Sequence, residues 1–180
     1  MTISSILSSI RSRQHRSTDP VGWARSLGVN VGKDCRFLGI DDQTFGTEPY
    51  LITIGNHVTL TTGVTFVTHD GGVWVFRDEH PDIDVFGPIK VGNNVFIGKH
   101  AIILPNVEIG DNCVIGSNAV VSRSIPANSV AAGVPARVIR TREEYWKGVS
   151  AKATYIRSMD DAAKRKYLLE LFAKAKDPVE

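Results

Sequence analysis

Aliphatic residues recur along this chain every six positions: Val91, Ile97, Ile103, Ile109, Ile115 and Val121. Upstream, Ile54, Leu60 and Phe66 keep the same step, and Val31 with Phe37 begins it. The position after most of them is glycine, at Gly32, Gly55, Gly92, Gly98, Gly110 and Gly116. Four residues after the aliphatic comes a second small or modest side chain: Cys35, Val58, Val64, Val95, Ala101, Val107, Cys113 and Ala119. A helix repeats at 3.6 and a half-buried strand at 2, so six fits neither. It suits a short strand followed by a tight corner, wound into a coil whose layers pair as parallel strands. The aliphatic points inward. The glycine suits a corner where φ is positive or where a Cβ would clash. Asn56, Asn93, Asn94, Asn106, Asn112 and Asn118 fit turn backbone as well. Cys35 and Cys113 occupy the small-residue slot and read as packing residues, not nucleophiles. One such unit cannot bury its inner face alone; about a dozen can.

The period breaks twice. From Phe66 to Val91 is 25 residues, one more than four repeats. The intervening stretch has no six-residue order, and it reads as an excursion over residues 68–89. Long irregular segments in a compact domain are usually functional. Gly39 to Leu51 reads as a second, smaller excursion. Before the coil, Asp19-Pro20 predicts a helix start with a capping residue and proline in the first turn, and Gly28 closes it. Ile3, Ile6, Leu7 and Ile10 share a helical face, which suits packing against a coil end or a neighbouring subunit better than a membrane surface. After the coil, Thr141-Arg142-Glu143-Glu144 reads as a capping box. Ser158 to Lys176 predicts a further helix, with Leu168, Leu171, Phe172 and Ala175 on one face. The expected division is a helical segment at 1–27, a coil at 28–140 and a helical tail at 141–180.

The 180 residues are 42% apolar and 22% charged, enough apolar surface for a core and an ordinary globular balance. No apolar run approaches the ~18 residues of a membrane span, and Met1 to Arg13 lacks the pattern of a secretory signal. Two cysteines at unrelated spacing suggest reduced thiols and a cytoplasmic setting. The net charge of +2 conceals basic ends and an acidic middle: residues 37–136 carry four Lys/Arg against ten Asp/Glu. A nucleic-acid binder would show one strong basic field with interleaved aromatics. These basic ends suit a compact anion such as a phosphate, although a solvated helix face explains most of them equally well.

The run VGNNVFIGKHAIILPNVEIGDNCVIGSNAVVSRSIPANSVAAGVPARVIR resembles the hexapeptide-repeat acyltransferases, in particular the galactoside, maltose and capsular-polysaccharide O-acetyltransferase branch. The resemblance spans roughly residues 28–140. It implies a mainly β protein, a left-handed parallel β-helix of triangular section with short terminal α-helices and one long excursion loop. It also implies a homotrimer with active sites between subunits, acetyl-CoA as donor and a saccharide acceptor, with no metal.

Acetyl transfer from a thioester to a hydroxyl needs a base that takes the hydroxyl proton. Of the five histidines, His69 matches the catalytic histidine of that branch, at the point where the regular coil gives way to the excursion. Asp70, Glu79, Asp82 and Asp84 all stand open as the carboxylate that orients it. The resemblance further implies coenzyme A contacts at Lys99, Ser117, Ser122, Arg123, Arg137 and Arg140, cations and hydroxyls suited to phosphates. The branch more often has serine at the position of Lys99 and Thr-Lys at Ser122-Arg123. Trp74, Phe76 and Phe86 offer flat faces to a sugar ring, with Arg77, Glu79 and Asp82 available to its hydroxyls. Packing on a neighbouring subunit explains Phe86 equally well.

Three other readings compete. An N-acetyltransferase of a nucleotide-linked amino sugar often carries an added N-terminal domain, which the short helical N-terminus here does not supply. A metal enzyme like the γ-type carbonic anhydrases needs three histidines on zinc, and the close histidine pair expected near the metal is missing. A non-catalytic trimeric binding protein fits the coil alone but not its coincidence with His69 and the long excursion.

Overall fold

The structure, a computed structural model, describes residue 14 and residues 16–173. Helix α1 runs Pro20–Ser26. Asp19 caps it by accepting from the Gly22 N–H at 2.8 Å, and proline sits in the first turn where no N–H is needed. Beyond it the chain winds into a coil of three parallel faces. The first face stacks β1 (Asn30–Val31), β3 (Ile52–Ile54), β6 (Ile89–Val91) and β9 (Glu108–Ile109). The second stacks β2 (Arg36–Phe37), β4 (Thr59–Leu60), β7 (Phe96–Ile97), β10 (Val114–Ile115) and β12 (Ser129–Gly133). The third stacks β5 (Thr65–Phe66), β8 (Ile102–Ile103) and β11 (Val120–Val121). The chain turns from face to face in order, as a left-handed parallel β-helix. The last strand, β13 (Ala136–Thr141), folds back antiparallel on β12 and ends the second face.

The six-residue aliphatics form the core. Ile54, Leu60, Phe66, Ile97, Ile103, Ile109, Ile115 and Val121 are all buried, and the second set from Val58 to Ala119 fills the space between them. Register keeps like above like: Ile54 stacks on Val91, Val91 on Ile109, Leu60 on Ile97 and Ile97 on Ile115. Cys113 is buried in this slot, and burial pushes its thiol pKa up, as a packing residue requires. Cys35 is half-buried, its thiol against the Gly55 carbonyl at 3.1 Å.

The two corner residue types divide the work. Positive φ falls on Asp34, His57, Asn94, Asn112 and Asn128 along the edge between the first and second faces. The glycines at Gly32, Gly55, Gly92, Gly98, Gly110 and Gly116 are not in that region. They are needed because the next turn of backbone passes too close: a Cβ on Gly55 would lie 2.7 Å from the Gly92 carbonyl oxygen. The first edge also carries a side-chain ladder. His57 Nδ1 meets Asn94 Oδ1 at 2.9 Å, Asn94 Nδ2 donates to Asn112 Oδ1 at 2.8 Å, and Asn112 Nδ2 to Asn128 Oδ1 at 3.0 Å. Aligned amide chains of this kind polarise one another.

Both phase breaks fall where the sequence places them. The shorter spans Phe37 to Ile54, 17 residues where two face-to-face steps take twelve. It replaces a third-face strand in the first turn. Phe45 from this segment drops into the open end of the coil, stacked on Phe66 at 5.8 Å and tilted against Trp23 and Phe37. Buried Trp23 and Ala24 of α1 complete that plug. The longer break leaves after Phe66 and returns at Ile89. Its two arms pair antiparallel through His69 and Phe86, and its tip is a 3-10 turn over Gly71–Phe76.

Trp146 onward forms a second compact unit. Helix α2 spans Arg142–Ser150 and leads into it. Its start is the predicted capping box: Glu144 N–H donates to Thr141 Oγ1 at 3.1 Å, and Thr141 N–H to Glu144 Oε2 at 2.7 Å. Thr141→Ala is expected to cost about 1 kcal/mol of local helix stability, read as faster amide exchange at Glu144. Helix α3 spans Asp161–Ala173, three residues later than the predicted start, because Asp160 caps it by accepting from Ala163 N–H at 2.8 Å. Leu171 and Phe172 of its apolar face are exposed. The predicted face residue Ala175 and the helical face at Ile3, Ile6, Leu7 and Ile10 lie outside the described residues.

Candidate active site

His69 stands at the edge between the third and first faces, where β5 gives way to the longer excursion. Three backbone bonds fix this root. Gly87 N–H donates to the Thr68 carbonyl and Asp70 N–H to the Val85 carbonyl, both at 2.9 Å, and Val67 N–H reaches Ile103 at 2.8 Å. Thr68 is fully buried, whereas the His69 side chain remains 41% exposed. Its ring lies edge-on to Phe86, centroids 6.3 Å apart. The imidazole is therefore held by scaffold on one side and open on the other.

The carboxylate beside it is Glu48, which the sequence reading missed. Glu48 Oε2 lies 3.1 Å from His69 Nδ1 and accepts from the Thr68 hydroxyl at 2.6 Å. The Thr47 hydroxyl lies 3.3 Å from the same ring nitrogen. The four carboxylates named from sequence are placed otherwise. Asp70 accepts from Gly72 N–H at 2.9 Å and caps the 3-10 turn, Asp84 pairs with Arg77 at 2.7 Å, and Glu79 and Asp82 are exposed in the excursion. Glu48 precedes Pro49 in the shorter excursion, 21 residues from His69. Its only sequence signal was membership of an irregular segment.

The Thr68 hydroxyl is the main cause that holds the Glu48 carboxyl below its ordinary pKa; Thr47 and His69 add to it and desolvation opposes. A depressed carboxyl contributes stability that is present above its unfolded pKa, ~4.3 for Glu, and lost as pH falls through the folded value. The melting-temperature gap between wild type and Glu48→Gln is thus expected to narrow from pH 6 to pH 3. Thermal melts across that range check it; a constant gap would show that Glu48 does not titrate differently on folding.

Trp74 is largely exposed at the excursion tip, and the Arg77 guanidinium lies 5.9 Å from its ring centroid. Arg77 also has its Nε buried without a hydrogen-bond partner. Of the six cofactor candidates, Ser122 and Arg123 share the edge of His69, at the turn after β11. Lys99 and Ser117 occupy the adjacent edge, between the second and third faces. Arg137 and Arg140 are on β13. All six are exposed. The chain therefore gathers His69, Glu48, Ser122 and Arg123 along one edge and leaves Lys99 and Ser117 on another.

The remaining described histidines do not converge with His69: His57 is on the first edge, His100 on the second and His80 within the excursion. Among the described residues no three His, Cys, Asp or Glu side chains group as metal ligands.

The chain is similar to several known proteins. The bacterial transferase hexapeptide model (six repeats) matches residues 88–123. Protein CapG of Staphylococcus aureus is 57% identical over 148 residues, 82% of this chain and 86% of that protein. Galactoside O-acetyltransferase of Escherichia coli (strain K12) is 45% identical over 121 residues, 67% of this chain and 58% of that protein. Among solved structures, a maltose O-acetyltransferase from Clostridium difficile 630 aligns with a TM-score of 0.50 at 28% identity, over 72% of this chain and 81% of that one. A hexapeptide-repeat acetyltransferase from Vibrio cholerae aligns with a TM-score of 0.53 at 22% identity, over 67% and 77% of the two chains, a likeness of fold. The chain belongs to the hexapeptide-repeat acetyltransferases. Within them it is similar to a galactoside O-acetyltransferase and to a maltose O-acetyltransferase.

Proposed function

We propose that this protein is an acetyl-CoA-dependent O-acetyltransferase that esterifies a sugar hydroxyl in surface polysaccharide biosynthesis. The observation that carries the reading is His69: an open imidazole at the root of the excursion, in a chain 45% identical to a galactoside O-acetyltransferase over 121 residues. A carboxylate can only accept, so the Glu48 contact requires the proton on Nδ1 and leaves the Nε2 lone pair free.

His69 Nε2 takes the acceptor's hydroxyl proton as that oxygen bonds to the acetyl carbonyl carbon. When the carbon–sulfur bond breaks, the imidazolium returns the proton to the departing thiolate, and His69 is regenerated. Lys99, Arg123, Arg137 and Arg140 supply cations for the donor's phosphates, and Ser117 and Ser122 supply hydroxyls. Trp74, Arg77 and Asp82 line the acceptor side, the indole against a pyranose face and the charged groups toward its hydroxyls.

Because Lys99 and Ser117 sit on a different edge from His69, a complete site takes its donor-binding edge from a second copy. A homotrimer supplies that pairing three times. The reaction is assigned to the cytoplasm, where acetyl-CoA is available.

Thiol release from acetyl-CoA against a panel of mono-, oligo- and nucleotide-sugars tests the reading. Release that depends on a neutral sugar establishes it. Release only with amino sugars would make it an N-acetyltransferase, and failure to bind coenzyme A would overturn the donor assignment. Arg137→Ala is expected to weaken coenzyme A binding by about 1.5 kcal/mol, roughly tenfold in Kd. Titration calorimetry checks it, and an unchanged constant would make Arg137 structural.

A further inference from the structure

The chain after the coil carries apolar surface that no part of the proposed reaction uses. Among residues 146–173 of the second unit none is buried. Helix α3 concentrates that surface. Leu168, Leu171 and Phe172 fall at i, i+3 and i+4 on one side, and Leu169 widens the face. Phe172 is 61% exposed. Lys164 and Arg165 stand one turn earlier on the same face, four residues before Leu168 and Leu169. Arg165 lines the apolar groove formed there by Leu168, Leu169, Phe172 and Ala173. Lys166 completes a run of three cations. Residues 146–173 hold six Lys and Arg against three acidic residues, and one of the three, Asp160, is spent on capping α3. The same unit exposes Trp146, next to Lys147, and Tyr155.

We infer that the C-terminal unit docks peripherally on an anionic lipid surface, through the Leu168–Phe172 face of α3 and the cations Lys164, Arg165 and Lys166. An apolar face alone would suit a protein partner as well as a bilayer, and charge decides between them. Lys164 and Arg165 share the face with the leucines, so whatever covers the leucines also meets two cations. An anionic bilayer interface offers both kinds of contact at once: hydrocarbon for the apolar side chains, and headgroups that the long basic side chains reach. A second copy of the helix offers the same cations again. A parallel seam would gather Lys164 and Arg165 of every copy around one axis with no carboxylate facing them. Tryptophan and tyrosine, exposed here at Trp146 and Tyr155, are the residue types that settle at a membrane–water interface. No helix among the described residues is long and apolar enough to cross a membrane, so the contact is peripheral. One such helix binds weakly alone, and firm attachment needs several signals together. A cyclic trimer presents each surface feature three times at one height along its axis. Three units would then meet one plane as a multivalent contact. That multiplicity rests on the homotrimer of the proposed function; the docking chemistry of each unit does not.

The test is flotation of the full-length protein with unilamellar vesicles, either phosphatidylglycerol mixed with phosphatidylcholine or phosphatidylcholine alone. At low salt the anionic vesicles are expected to bind at least about tenfold more tightly than the neutral ones, and the preference should fade as salt screens the headgroups. Replacing Lys164, Arg165 and Lys166 together by glutamine should weaken binding to the anionic vesicles roughly tenfold or more. The pair Leu169→Ser and Phe172→Ser should weaken it by a similar factor, and at every salt concentration. All five positions are exposed and lie outside the residues assigned to the chemistry. Thiol release measured without vesicles should therefore stay within about twofold of wild type in both variants. That assay also separates the two readings: its failure in wild type would count against the proposed function, whereas the vesicles alone decide the docking. Wild-type protein that floats with neither vesicle, or equally with both, would overturn the inference. So would dissociation of the oligomer in the Leu169, Phe172 variant, seen by sedimentation velocity, because a second copy would then be what covers the face.

Discussion

His69→Ala is expected to lower kcat by ~10²–10⁴, the range for loss of a positioned general base, and to leave coenzyme A affinity within about twofold. The separation of the two effects follows from role. The cations and hydroxyls offered to the donor are side chains other than His69, so removing the imidazole takes away none of them. The substitution should also fold. Thr68, Phe86 and Gly87 hold the root of the excursion through backbone bonds that alanine retains. Steady-state thiol release paired with calorimetric titration of coenzyme A measures both quantities. Turnover near wild type would remove His69 from the chemistry. Lost coenzyme A binding would mean that the imidazole contributes to donor recognition.

The second large effect is on stability. Gly55→Ala is expected to cost about 3 kcal/mol, seen as a lower urea midpoint with an unchanged slope. A Cβ there would meet the Gly92 carbonyl oxygen at 2.7 Å and its carbon at 2.8 Å. These are backbone atoms of the next turn, so no side-chain rotation relieves the contact, and the two turns must separate. Parallel bonds such as Gly55 N–H to the Val91 carbonyl at 2.8 Å then lengthen. Gly71→Ala is the control: a Cβ at Gly71 has nothing within 4 Å, and the same change should cost only tenths of a kcal/mol. If Gly55→Ala were equally mild, the turns of the coil would be more compliant than the spacing implies.

The coil was legible in the sequence because burial there is periodic. Each inward side chain at Ile97, Ile103 or Ile109 sees the same neighbours one turn above and below, so the pattern repeats in the chain as it does in space. The corner chemistry was only half legible. Asparagine at positive φ was readable, but glycine without positive φ is required by the backbone of another turn, which no local window contains. Helix ends were legible where caps are local, as at Asp19 and Thr141, and displaced where Asp160 competes with Ser158 for the start of α3. Glu48 was illegible for a different reason. It meets His69 through two aperiodic segments 21 residues apart, and nothing in the spacing of either says which of several nearby carboxylates the fold will choose.

The longer excursion leaves and re-enters the coil without changing its register: Val91 stacks on Ile54 although Phe66 and Val91 are 25 residues apart where a plain step takes six. The edge of this coil is thus a socket. Its stacked turns do not register how much chain is plugged in there, and each doubling of a loop costs only about 0.6 kcal/mol in closure entropy. The segment bearing Trp74, Arg77 and Asp82 is interchangeable in principle, while Thr68 and Gly87 at its base are not. On the proposed function, a scaffold built in this way can change its acceptor by exchanging the insert alone, keeping His69 and the candidate donor-binding residues as fixed parts.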